Sequence, residues 1–163
     1  MYILGKDISM DMVVSLSLKA LVGKLFYINT RKNKLKEWIQ DVWKPKVGYC
    51  PWLSLVSNHW IIFHFLSEED LIKILEIPWV IDRGVLMLKR WEKGFNPYLE
   101  MFKKRCFWML LHDFLIELWV LKVFKDIGDS VGRLVYFDEQ SLRWNNKRLA
   151  RILVEMDLDL GLT

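Results

Sequence analysis

Lysines and arginines come in clusters along this chain, and aromatic rings stand near some of them. Arg31, Lys32, Lys34 and Lys36 form one cluster. Lys89, Arg90 and Lys93 form a second, and Lys103, Lys104 and Arg105 a third. Arg143, Lys147, Arg148 and Arg151 make the fourth, with no acid before Glu155 and with Trp144 among them. Such groups can neutralise phosphates and release counterions without reading a base sequence. A neighbouring indole such as Trp144 can add stacking. The plain alternative for each cluster is a solvated surface with unrelated charges. Trp60 and His64 are further ring candidates, and for Trp60 the plain alternative is core packing.

Other chemistries find less support. His59 and His64 lie five apart on an expected strand, so they point to opposite faces and do not share an ion. His112 and Asp113 are adjacent and diverge in the same way. No Ser or Cys sits in a recognisable nucleophile motif, and there is no P-loop or dinucleotide fingerprint. Cys50 and Cys106 have no metal-ligand spacing, and a reducing compartment is their simplest setting. The expectation is therefore no catalytic residue, no metal and no cofactor.

Elements must hold those side chains in place. With 163 residues, 53% of them hydrophobic, and nine tryptophans, the chain is long and apolar enough to fold. Its net charge of +4 suits a nucleic-acid partner and is also ordinary for a soluble protein. No signal peptide is visible, because Lys6, Asp7 and Asp11 interrupt the start. Phe114–Phe124 comes nearest to a membrane span but is short and carries Glu117 and Lys122. The expected location is intracellular, nuclear or cytoplasmic, with no membrane.

The clearest stretch runs from Val56 to Trp91 and reads strand, helix, strand. Trp60–Phe65 is β-branched and aromatic, with Trp60, Ile62 and His64 on one face and Ile61, Phe63 and Phe65 on the other. Ser67 offers a cap, Glu68, Glu69 and Asp70 fill the first turn, and Pro78 sets the helix end. A turn at Asp82–Gly84 leads into Val85–Trp91. Upstream, residues 1–17 read as an arm and Leu18–Phe26 as a first strand. Asn29 or Thr30 could cap a helix carrying Leu35, Trp38, Ile39, Val42 and Trp43 at helical spacing. Pro45 ends it, and Val47–Ser57 is an interrupted strand near an edge because of Pro51.

Residues 18–92 thus read β-α-β-β-α-β, the ferredoxin-like order that RNA-recognition domains share. A turn-rich connector covers 93–102. Residues 103–158 read β-α-β-β. Arg105–His112 suits a central strand, and a helical stripe runs through Ile116, Trp119, Val120, Val123, Phe124 and Ile127. Gly128 is its expected stop. Val131–Phe137 is a strand, Ser141–Arg148 a loop or short helix, and Leu149–Leu158 an alternating strand. A tail covers 159–163. The expected architecture is α+β: a ferredoxin-like, RRM-like βαββαβ first half packed with a β-α-β-β second half. Trp52, Trp91 and Phe95 fit no stripe; they suit the seam between the halves or a partner-binding surface.

The segments SLKALVGKLF, SEEDLIKILEIPWVIDRGVLMLKRWEKGFNP, FWMLLHDFLIELW, IGDSVGRLVYFDEQSL and LARILVEMDL, in that order, resemble the plant domain of unknown function 4283. That family is common in proteins derived from LINE-type non-LTR retrotransposons. The resemblance spans about Ser17 to Leu158 and implies an RRM-like fold with a nucleic-acid-binding role; it does not imply catalysis. Relatives often continue into a CCHC zinc knuckle, which these residues lack. They also commonly carry Gly-Leu-Pro before the third helix, where Asp113, Phe114 and Leu115 stand here.

Against RRM signatures, Ala20–Leu25 has Leu21 where a first-strand stacking ring belongs. Asn58–Phe65 keeps Trp60 but has His59 for the usual Gly and Ile62 for the second ring. Aliphatic side chains offer no π-face, so a sheet covered by protein is expected. The expected partner is RNA or single-stranded DNA, held by Arg143, Trp144, Lys147, Arg148, Arg151, Lys89, Arg90, Trp60 and His64. The rival expectation is a protein-interaction or self-association domain.

Overall fold

The computed structural model describes residues 6–112, 115–138 and 149–158. The chain divides into two compact units, Met1–Met101 and Phe102–Thr163. Among the described residues no helix is long and apolar enough to cross a membrane.

The first unit opens with helix α1, Lys6–Lys19, where the sequence suggested a patternless arm. Its apolar residues follow no single stripe, and Met10, Met12 and Val14 are exposed, so periodicity gave no signal. Then come β1 (Ala20–Phe26), α2 (Lys32–Val42), the short α3 (Lys44–Val47) and β2 (Trp52–Leu55). A single 3-10 turn, Ser57–His59, leads into β3 (Trp60–His64) and α4 (Glu68–Leu75). The hairpin of β4 (Trp79–Ile81) and β5 (Gly84–Arg90) completes the unit.

The sheet order is β2-β3-β1-β5-β4, and every neighbouring pair is antiparallel. With β1 and β3 central, this is the ferredoxin-like, RRM-like order, with β4 added at one edge. Pro51 does precede an edge strand, β2. The helices cover one face of the sheet. Leu35, Ile39 and Trp43 of α2 and its C-terminal cap, and Leu71 and Ile74 of α4, meet Leu21, Ile61, Phe63 and Leu86 of the sheet. Ser67 caps α4 as its sequence suggested, its hydroxyl accepting from the Asp70 amide at 3.2 Å. The expected cap of α2 differs. Arg31 is the N-cap residue and makes no side-chain cap, and the Thr30 hydroxyl is buried without a hydrogen-bond partner.

The second unit runs β6 (Lys104–His112), a 3-10 turn (Ile116–Leu118), α5 (Leu121–Val131), β7 (Arg133–Phe137) and β8 (Leu149–Asp157). This is the expected β-α-β-β succession, but the sheet order is β6-β8-β7. Strand β6, expected in the centre, lies at an edge, and β8 takes the middle. Burial explains the exchange: Ala150, Ile152, Leu153 and Val154 of β8 are all fully buried, whereas Leu110 of β6 is half exposed. Phe124 of α5 packs with Trp119, Ala150, Ile152 and Val154 on one face. Trp108 and Tyr136 meet edge to face at 6.1 Å, and both lie across from Leu153 on the other face.

Gly128, expected to stop the helix, is a buried position inside α5; the stop is Gly132.

Candidate nucleic-acid interface

Directly paired residues of an antiparallel sheet share a face. On the first unit's sheet the face away from the helices can therefore be read from the register. Trp52 lies opposite His64, and His64 opposite Ala20. Ser54 lies opposite Ile62, which lies opposite Val22, which lies opposite Lys89. Trp60 lies opposite Lys24, and Lys24 opposite Met87. Rings and cations thus occupy neighbouring positions on one surface.

Leu21, aligned by sequence with a stacking ring, lies on the helix side in the core. The positions of β1 on the free face are Ala20 and Val22, both fully buried. The alignment was one residue out of register, and a one-residue slip exchanges the two faces.

The free face is not bare. Residues 92–101 of the same unit cross it. The Phe95 ring stands edge-on to Trp60 at 5.3 Å. Trp60 Nε1 and Asn58 Nδ2 each donate to the Pro97 carbonyl at 2.9 Å. Lys89 Nζ pairs with the Glu100 carboxylate, and reaches the Met101 carbonyl at 3.4 Å. As a result Trp60 is only 1% exposed, so its ring is no open stacking surface while this segment lies over it. The covered face expected from the aliphatic residues exists, and the cover belongs to the first unit itself. Lys24 Nζ sits 5.4 Å from the centroid of the Trp60 ring, a cation–π distance.

The β2 edge stays open. Trp52 is 77% exposed beside the partly buried His64. Ser54 Oγ and His64 Nε2 lie 3.1 Å apart. Burial pushes the His64 imidazole below its ordinary value by disfavouring the charged form. Because the folded pKa is depressed, the neutral ring's contribution is complete above the unfolded value and is lost as pH falls through the folded one. Acidification from about pH 7.5 to about pH 5 should therefore lower the unfolding midpoint, and His64→Gln should shrink that loss. Histidine NMR titration together with thermal melts checks both.

The remaining candidates scatter. Arg90 points away from Lys89, as adjacent strand residues do. It bonds Glu68 at the start of α4 at 2.5 Å and the Ser17 carbonyl at 3.4 Å, so it ties elements together on the helix side. Arg151 is partly buried on β8, opposite Leu110. Arg143, Trp144, Lys147 and Arg148 lie outside the described residues. Lys34 pairs with Asp82 at 2.7 Å, while Arg31, Lys32 and Lys36 are exposed along α2. A cleft of about 410 Å³ beside Trp60 is lined by Asn29, Lys32, Asn58 and His59, among others. It connects the Trp60 end of the sheet with Lys32 at the start of α2.

Sequence reasoning missed Trp52 and Lys24 as members of this face. The strand alternation that placed Trp60 with His64 could have found Lys24; Trp52 needed the pairing register. Among the described residues no three His, Cys, Asp or Glu side chains are grouped to hold a metal ion.

A family model described as "Domain of unknown function (DUF4283)" matches residues 16–98. No curated protein matches the chain. Among solved structures, the chain is similar to the RNA binding domain of Hrp1 in complex with RNA, at 15% identity and a TM-score of 0.35. That alignment covers 85% of this chain and 80% of the other. It is also similar to the N-terminal three RNA binding domains of the yeast splicing factor Prp24, at 12% identity and a TM-score of 0.37. There 93% of this chain and 66% of the other are covered.

Proposed function

The chain belongs to the family of the domain of unknown function DUF4283, and on that premise we propose that it is a non-catalytic domain binding RNA or single-stranded nucleic acid. One observation carries the reading. A sheet of RRM-like strand order aligns Lys24, Trp52, Trp60, His64 and Lys89 on its helix-free face, with Trp52 open and Trp60 and Lys89 engaged by the segment that crosses it. Rings and cations so arranged suit bases and phosphates. The basic residues Arg143, Lys147, Arg148 and Arg151 would extend the phosphate contacts, with Trp144 stacking among them. The resemblance drawn from the sequence further suggests a plant accessory domain of LINE-type retrotransposon origin.

The test is fluorescence anisotropy of a labelled single-stranded RNA at two salt concentrations. Three phosphate contacts on a single strand give a log–log slope of about −2, so threefold more salt should weaken binding roughly tenfold. Changing Arg143, Lys147, Arg148 and Arg151 together to Ala should flatten that slope. Binding unchanged by salt would rule out the phosphate mechanism.

One observation favours a second reading, a protein-interaction or assembly domain without direct nucleic-acid contact: Trp60 is buried under residues 94–98. Light scattering separates the two. A stable oligomer with no RNA binding at low salt would select the assembly reading.

A further inference from the structure

We propose that the segment Phe95–Glu100 is an internal stand-in for a nucleotide, and that single-stranded nucleic acid must displace it to reach the sheet. The proposal rests on the nucleic-acid reading above and adds to it the place and the gate.

The segment corresponds to a nucleotide group by group. Phe95 sets an aromatic ring against Trp60, where a base would lie. The Pro97 carbonyl accepts from Trp60 Nε1 and Asn58 Nδ2, as a base or sugar oxygen would. The Glu100 carboxylate takes the Lys89 ammonium, as a phosphate would. Ring, neutral acceptor and anion follow one another within six residues, and each engages a side chain suited to the corresponding part of a nucleotide. Lys24 stays beside the same ring.

Apart from Phe95 on Trp60, the segment is lightly held. Tyr98, Leu99 and Met101 are each more than 70% exposed, so its apolar anchoring is confined to that one ring. Its own amide bonds are turn contacts: Phe95 to the Glu92 carbonyl at 3.0 Å, and Leu99 and Glu100 to the Asn96 carbonyl at 3.0 and 2.9 Å. A segment with few buried contacts opens at low cost. While it is closed, the apparent affinity for RNA falls in proportion to the open fraction.

Two measurements test the gate. In hydrogen exchange on the unaltered chain, saturating single-stranded RNA should speed the amides of Phe95, Leu99 and Glu100. The double variant Phe95→Ala/Glu100→Gln should bind the same RNA roughly tenfold tighter. Glu92→Gln makes the same charge change three residues before the segment without touching Lys89, and should stay within about twofold of the parent. RNA bound with exchange at residues 95–100 unchanged or slowed overturns the gate and leaves the nucleic-acid reading standing. So does a double variant that folds, by circular dichroism, yet binds no tighter than Glu92→Gln. Failure of parent and double variant alike to bind at low salt removes the nucleic-acid reading, and the gate with it.

Discussion

Replacing Trp43 by Ala is expected to remove about 3 kcal/mol from the stability of the first unit, a large share of what a domain of this size has. Trp43 is fully buried at the end of α2. Its ring lies edge to face with Trp38 at 5.4 Å, Phe63 at 5.0 Å and Trp79 at 6.0 Å, and tilted against Phe65 at 6.2 Å. It therefore joins α2, β3 and β4 in one aromatic cluster. Loss of an indole of this kind costs about 3–5 kcal/mol. The low end applies because Trp43 Nε1 is buried without a partner, a penalty that Ala relieves. Trp43→Phe keeps a ring and removes the same orphaned donor, so its cost should be about 1 kcal/mol. Denaturant unfolding with exchange protection read at β1 and β3 amides checks both. If Phe proved as costly as Ala, the ring contacts would not be the source.

This cluster also bears on function. Phe63 of β3 faces Trp43, while its neighbours Ile62 and His64 face the other way. A slack helix-side core would loosen the strand that carries Trp60 and His64.

The helices of the first unit were legible because α2 and α4 carry apolar residues at helical spacing between clear stops. Strand β4 was not, since Trp79, Val80 and Ile81 follow Pro78 with too few residues for a period to form. Helix α1 lacked an apolar stripe. In the second unit the succession of elements was legible, but the strand order was not. That order depends on which strand is buried on both faces, and Leu153 is buried by Trp108 and Tyr136, which flank it from the two neighbouring strands.

The candidate site was legible in part, for the same reason. Alternation placed Trp60 and His64 together, whereas sequence adjacency wrongly grouped Lys89 with Arg90. Residues 93–102 read as a turn-rich connector, which their backbone is. What it covers depends on Phe95 and Pro97 meeting Trp60, 35 and 37 positions away, and on Glu100 meeting Lys89, 11 positions away, and no local pattern encodes such contacts.

Gly132→Ala is expected to cost the second unit about 3 kcal/mol, while Gly128→Ala should change it by no more than about 1 kcal/mol. The contrast follows from what each new methyl group would meet. At Gly132 it would stand 2.2 Å from the Glu155 carbonyl oxygen and 3.1 Å from Val154 Cγ1. The oxygen is backbone on β8, the middle strand, which cannot move without disturbing its pairing with β6 and β7. At Gly128 the nearest atoms are Leu134 Cβ and Cδ1, both at 3.1 Å. A shift of a few tenths of an ångström relieves the contact, by rotation for Cδ1 and by a small movement of the β7 backbone for Cβ, and the roughly 1 kcal/mol that the helix gains from losing a glycine inside it offsets that cost. Thermal melts of the two variants, with protection followed at β7 and β8 amides, give the comparison. Equal effects would mean that Gly132 is not the point where α5 turns tightly against β8.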